Sequence, residues 1–178
     1  MRKNTVVRKI VFSGLMLAVA FLLPFLTGQI PQFGNMLLPM HLPVLICGFA
    51  CGWPWGLAVG AVAPLLRSLI MIMPPMFPTA IAMAFEMAAY GAFCGLLYEK
   101  LPKKNPLIYM ELIAAMVLGR VIWGGVTWAL MALSGGEFSW SIFIGGAVLN
   151  AVPGIVLQIV LVPPIVMLLK KAGFITND

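Results

Sequence analysis

Apolar residues fill this chain in long unbroken runs, and the runs are interrupted by Gly, Pro and clusters of charge. A helix needs about 20 apolar residues to cross a hydrocarbon core. The interruptions leave six candidates, at approximately 9–26, 38–52, 55–73, 78–98, 106–133 and 140–169. The second is short and carries Pro39 and Pro43, whereas the last two are long enough to tilt or to project beyond the bilayer. Pro64, Pro153, Pro163 and Pro164 fall inside runs, where neighbouring helices or side chains must satisfy the carbonyls they free. The pattern predicts an all-α integral membrane protein of six transmembrane helices, forming a single membrane-embedded domain over residues 1–178.

Composition agrees. Hydrophobic residues make up 62% of the chain and charged residues 9%, with a mean hydropathy of +1.07, against roughly 45–50% and 25% in soluble domains. So much apolar surface cannot all be hidden inside, and the outer face must be apolar as well. The N-terminus resembles a secretory signal, with Arg2, Lys3, Arg8 and Lys9 ahead of an apolar stretch containing Ala18-Val19-Ala20. That stretch continues from Ile10 to Leu26, beyond the roughly 7–15 residues of a signal core, and reads as a retained first span.

Charge sets the orientation. Arg2, Lys3, Arg8 and Lys9 precede the first run, Lys100, Lys103 and Lys104 follow the fourth, and Lys170 and Lys171 close the sixth. An even number of spans places all of them on one side, which the positive-inside rule makes cytoplasmic, with both termini there. The outward connections at 27–37, 74–77 and 134–139 contain no basic residue. The net charge of +6 is therefore a topology signal of a multi-pass cell-membrane protein and no sign of a nucleic-acid partner.

Ionisable residues remain inside the runs: Arg67 in the third, Glu86 in the fourth and Arg120 in the fifth. Each costs about 2.5–3.5 kcal/mol near a bilayer centre, so such groups face the bundle interior and are functional candidates. At about 1.5 Å per residue they lie roughly 9, 12 and 20 Å below the outer helix ends. Helical spacing adds Thr79, Met83 and Tyr90 to the face of Glu86, and Trp123 and Thr127 to that of Arg120. Gly146, Asn150 and Gly154 form a similar stripe in the sixth run. His41 stands near the outer end of the second, and Gln29, Gln32 and Asn35 lie in the first outer loop. These groups converge on one outward-facing cavity. The competing reading is structural: Arg67 and Glu86 as an ion pair, Asn150 as an interhelical hydrogen bond, His41 as a solvated surface residue. Two arginines against one glutamate, however, leave a positive charge that an anionic ligand group would balance. Glu111, near the cytoplasmic end of the fifth run, is expected to pair with Lys103 or Lys104, and Glu137 to be solvated.

Catalytic signatures are missing. The chain contains no GxxxxGK[ST] loop, no HExxH and no GxSxG, and its single histidine excludes a multi-histidine metal site. Cys47, Cys51 and Cys94 sit in apolar runs without CxxC spacing and read as buried, inert thiols. No cofactor or metal is expected in this chain, and no enzymatic activity. Small residues instead recur four apart: Gly14 and Ala18 in the first run, with Ser13 and Ala20 nearby, then Gly56 and Gly60, and Gly91 and Gly95. Such faces let helices approach closely. Packing within the bundle accounts for the later two pairs, and the first is more open to a partner.

The segments FLLPFLTGQIPQFGNMLLPMHLPVLICGFACGW, PLLRSLIMIMPPMFPTAIAMAFEMAAYG and LGRVIWG together resemble bacterial substrate-binding S components of energy-coupling factor (ECF) transporters, over nearly the whole chain. The resemblance implies a vitamin or related micronutrient bound from outside, beneath a lid formed largely by the first outer loop, and delivered by toppling in the membrane. It implies as partners a transmembrane coupling subunit and two ABC ATPases, which would use the ATP. It further implies a pocket built from the outer halves of spans four to six, with Glu86, Tyr90, Arg120, Trp123 and Asn150. The depth argument adds Arg67, Asn35 and His41. Coupling in that family uses an AxxxA-type pattern on the first span, and the matching positions here are Gly14 and Ala18. A carboxylate-bearing vitamin such as pantothenate fits the charge balance. The alternative is a self-sufficient secondary transporter with Glu86 as proton carrier.

Overall fold

The computed structural model describes residues 2–27, 36–135, 145 and 151–175, and every regular element among them is helical. In chain order these are α1 (Arg2–Thr27), α2 (His41–Cys51), α3 (Trp53–Met71), α4 (Ile81–Lys100), α5 (Asn105–Leu133) and α6 (Val152–Lys171), with a π-helical turn, Met76–Ala80, leading into α4. Five of the described segments are long and apolar enough to cross a membrane: Thr5–Phe25, Trp53–Met71, Met76–Lys100, Asn105–Leu133 and Val152–Lys171. They match the predicted runs 9–26, 55–73, 78–98, 106–133 and the later part of 140–169. Val11, Leu69, Val117, Val121 and Val160 are each more than half exposed, as lipid-facing side chains must be.

The run at 38–52 behaves differently. Its helix, α2, has 11 residues, about 16 Å at 1.5 Å per residue, roughly half of a 30 Å hydrocarbon core. All of its residues are buried, and it packs against α1, α3, α4 and α6. A helix wrapped by protein has no lipid thickness to match. Its continuous apolarity reflects a central position in the bundle.

Gly52 alone joins α2 to α3, at φ 93°. That region is open to glycine at little cost and strained for other residues, which is what lets the chain reverse without a loop. Pro54 in the first turn of α3 starts the next helix where no amide hydrogen is needed.

Association of helices in lipid depends on close packing, and glycine supplies it here. A Cβ added to Gly48 of α2 or Gly56 of α3 would lie 2.5 Å from the carbonyl oxygen of Gly91 in α4. One added to Gly91 would collide with the Gly56 carbonyl, at Gly60 with the backbone of Met87, and at Gly95 with that of Trp53. The pairs in the third and fourth runs are thus internal packing. Gly14 and Ala18 are exposed, and a Cβ on Gly14 would meet nothing within 4 Å. Only 11% of the α1 span is buried, against 56% for the segment containing α4, so α1 is peripheral; it offers Gly14 and Ala18 outward, while Ser13 and Ala20 are buried.

The basic residues gather at one end. Arg8 Nη2 donates to the carbonyl oxygen of Gly173 at 3.0 Å, and Lys170 Nζ to that of Lys103 at 2.6 Å. The start of α1, the α4–α5 connection and the end of α6 are therefore neighbours.

Candidate functional site

Glu86 and Tyr90 are one helical turn apart on α4, so their side chains stack on the same inward face. The Tyr90 hydroxyl donates to Glu86 Oε1 at 2.9 Å. From α5, Arg120 Nη1 reaches the same oxygen at 3.0 Å. From the first turn of α2, His41 Nε2 lies 3.7 Å from Glu86 Oε2, and its ring packs against Tyr90 with centroids 5.4 Å apart. Three helices thus deliver one acid, two bases and a phenol to a single buried point. Glu86 and His41 are each 1% exposed. A buried carboxylate is tolerable only when ion pairing and hydrogen bonding together replace its lost hydration, and Glu86 has both.

The position of Tyr90 depends on Gly119, the residue before Arg120. A Cβ there would strike the Tyr90 ring. The absent side chain gives the ring its seat against α5 and keeps the hydroxyl on Glu86.

Arg120 is only partly engaged. Nη1 is on Glu86, while Nε and Nη2 are buried without a hydrogen-bond partner. The guanidinium carbon lies 6.0 Å from the Trp123 ring, and the side chain retains 15% of its exposure. The Nε–Nη2 edge is the side-on fork that matches two oxygens of a carboxylate or phosphate.

The structure thus brings together His41, Glu86, Tyr90, Arg120 and Trp123. It places Arg67 elsewhere: Nη1 donates to the backbone carbonyl of Phe21 at 3.2 Å, and the guanidinium lies 5.4 Å from the Phe25 ring, tying α3 to α1. The partner of Glu86 is Arg120, not Arg67, and Arg67 adds no charge to this cluster. Thr79, assigned to the same face as Glu86, is exposed in the π-helical turn. Asn35 and Asn150 lie outside the described residues.

Two buried polar residues complete the picture. Glu111, expected to meet Lys103 or Lys104, is 1% exposed with neither carboxylate oxygen hydrogen-bonded. It shares the inward face of α5 with Ile108, Leu112 and Ala115, all buried, and this helical phase turns it from the surface. Gln158 on α6 is also 1% exposed, with both amide atoms unpartnered. Its signal was available, because it extends the stripe of Gly146, Asn150 and Gly154 by one more turn. Counted from the basic end at about 1.5 Å per residue, it lies roughly level with Glu86 and Arg120.

Ionisable groups gathered inside a bundle of apolar helices are functional candidates. Residues 8–166 match the family described as ECF transporter, substrate-specific component. The chain belongs to that family. No curated protein and no solved structure matches it. As an ECF substrate-specific component it is a multi-pass membrane protein of transport, not an enzyme. Its role in recognition directs attention to the polar cluster between α2, α4 and α5.

Proposed function

We propose that this ECF component binds a small vitamin-like nutrient with an anionic group from outside the cell, and delivers it across the membrane when coupled to an ATP-hydrolysing module. One observation carries the ligand assignment: the Nε–Nη2 edge of Arg120 is buried, unpartnered and held in place by Glu86. Two parallel N–H donors bind a carboxylate or phosphate in a fixed orientation. Because Glu86 offsets the charge of Arg120, recognition rests on hydrogen-bond geometry more than on net charge. Trp123 supplies a flat apolar face for a ring or acyl chain. Tyr90 and Glu86 hold Arg120, and His41 and Gln158 offer further polar contacts; Asn35 and Asn150 enter from the sequence reading.

The partners in this reading are a transmembrane coupling subunit, docked on α1 at Gly14 and Ala18, and two ABC ATPases that use the ATP. The chain itself needs no cofactor. Six crossings with cytoplasmic termini fit the juxtaposition of Arg8 and Gly173, which an even number of traverses would produce, and the positive-inside rule. In this reading the short, buried α2 is counted as the sixth traverse beside the five long helices. A self-sufficient proton-coupled carrier is disfavoured, since Glu86 is committed to Arg120 and Tyr90.

Mass spectrometry of small molecules released from the purified protein tests the assignment. The wild type is expected to release an anionic species that Arg120→Ala does not retain. Equal recovery from both proteins removes Arg120 from the site.

A further inference from the structure

A polar cleft lies away from Glu86, at the basic end of the bundle. It is a cleft of about 450 Å³ lined by residues that include Arg8 and Lys9 of α1, Tyr98 and Glu99 of α4, Lys103 and Phe174. That volume falls within the range of small-molecule sites, roughly 300–1,000 Å³. The walls carry three basic side chains against one carboxylate. Glu99 also lines the cleft, with its Oε1 close to Gly52, where a Cβ would lie only 2.6 Å away. Arg8 is fixed by its hydrogen bond to Gly173 and by the Phe174 ring, 3.9 Å from its guanidinium carbon. Lys100, Lys104, Lys170 and Lys171 add positive charge at the same end of the helices.

The surface beside the cleft is apolar. Val6 is itself part of the lining, and Val6, Val7, Ile10 and Val11 are 50%, 57%, 50% and 65% exposed along α1. A basic recess at a helix end that opens onto an exposed aliphatic face suits an amphipathic molecule better than a free ion. Membrane proteins bind anionic headgroups in such basic pockets on the cytoplasmic side.

We propose that this cleft seats the phosphate of an anionic phospholipid headgroup, with the acyl chains lying along the aliphatic face of α1. The cations of Arg8, Lys9 and Lys103 meet the phosphate, and Tyr98 and Phe174 form apolar parts of the wall. The lipid would span α1, α4 and the C-terminal segment, adding to the contacts that Arg8 makes there with Gly173 and Phe174.

The full-length protein, delipidated and exchanged into vesicles of equal parts phosphatidylglycerol and phosphatidylcholine with matched chains, is examined by native mass spectrometry after gentle solubilisation. Wild-type protein is expected to retain phosphatidylglycerol preferentially. Each basic residue near an anionic membrane surface contributes about a fivefold factor, so Lys9→Gln/Lys103→Gln should reduce the preference about 25-fold. The charge-matched control Lys104→Gln/Lys171→Gln, at positions outside the cleft, should retain most of it. Equal retention of the two lipids by the wild type, or equal losses in both double variants, overturns the proposal. Displacement of the lipid by inorganic phosphate at about tenfold excess assigns the cleft to a free anion and overturns the lipid assignment. Circular dichroism melting of each variant confirms that losses are read on folded protein.

Discussion

Removing Arg120 should affect stability and recognition separately, and a second substitution can separate the two. In the folded protein Glu86 has Arg120 at 3.0 Å and the Tyr90 hydroxyl at 2.9 Å on one oxygen, with His41 at 3.7 Å from the other. Arg120→Ala leaves that carboxylate buried with one hydrogen bond and a distant imidazole. Breaking a buried pair from one side costs about 3–5 kcal/mol, mostly from the charge left behind. Arg120→Ala/Glu86→Gln removes both charges while preserving an acceptor for Tyr90, and should recover most of this loss. Binding should not recover. Two hydrogen bonds from a guanidinium to an anion contribute about 1.5 kcal/mol or more each, so their loss lowers affinity by roughly 100-fold or more. The assay pairs thermal unfolding in detergent with the amount of ligand retained per protein after purification. A double variant that is as stable as wild type and retains as much ligand would refute the claim that the Nε–Nη2 edge of Arg120 holds the solute. A double variant no more stable than Arg120→Ala would refute the ion-pair argument.

Three glycine positions test three different physical roles. Gly91→Leu forces a side chain between α4 and the backbones of α2 and α3, and should cost at least the roughly 1–3 kcal/mol typical of overpacking, seen as a lower unfolding temperature and poor recovery of monodisperse protein; wild-type behaviour would mean the helices are not in backbone contact. Gly119→Ala meets only the Tyr90 ring, so it should reduce ligand retention by about tenfold, the equivalent of about one hydrogen bond, with a smaller effect on melting. Tyr90→Phe should behave similarly, and full ligand retention in both would remove the phenol from the site. Gly14→Leu and Ala18→Leu project into open space and should leave folding and ligand retention intact while abolishing uptake and co-purification with the coupling subunit. Uptake that persists in both variants would place docking on another face.

The pairing of Glu86 with Tyr90, and of Arg120 with Trp123, was legible because helical periodicity alone places such residues on one face. Periodicity works within a helix. It does not say which face of one helix meets which face of another, so neither the competing Arg67–Glu86 pair nor the expected pairing of Glu111 with Lys103 or Lys104 is the contact found. Arg67 lies at a depth similar to that of Glu86, but its helix is rotated to direct it towards Phe21 and Phe25.

By itself the sequence determined that this is a helical membrane protein with basic residues grouped at one end, because apolar run length and charge position depend on the bilayer and not on the details of packing. It also limited the chemistry to a few intramembrane polar groups. Only the tertiary structure decided that α2 is a buried central helix, that Gly48, Gly56 and Gly91 let three backbones meet, and that Arg120 completes the Glu86 cluster. The physical reason is the same in each case. Close backbone contacts fix the rotation of one helix against another, and that rotation decides which side chains share a site.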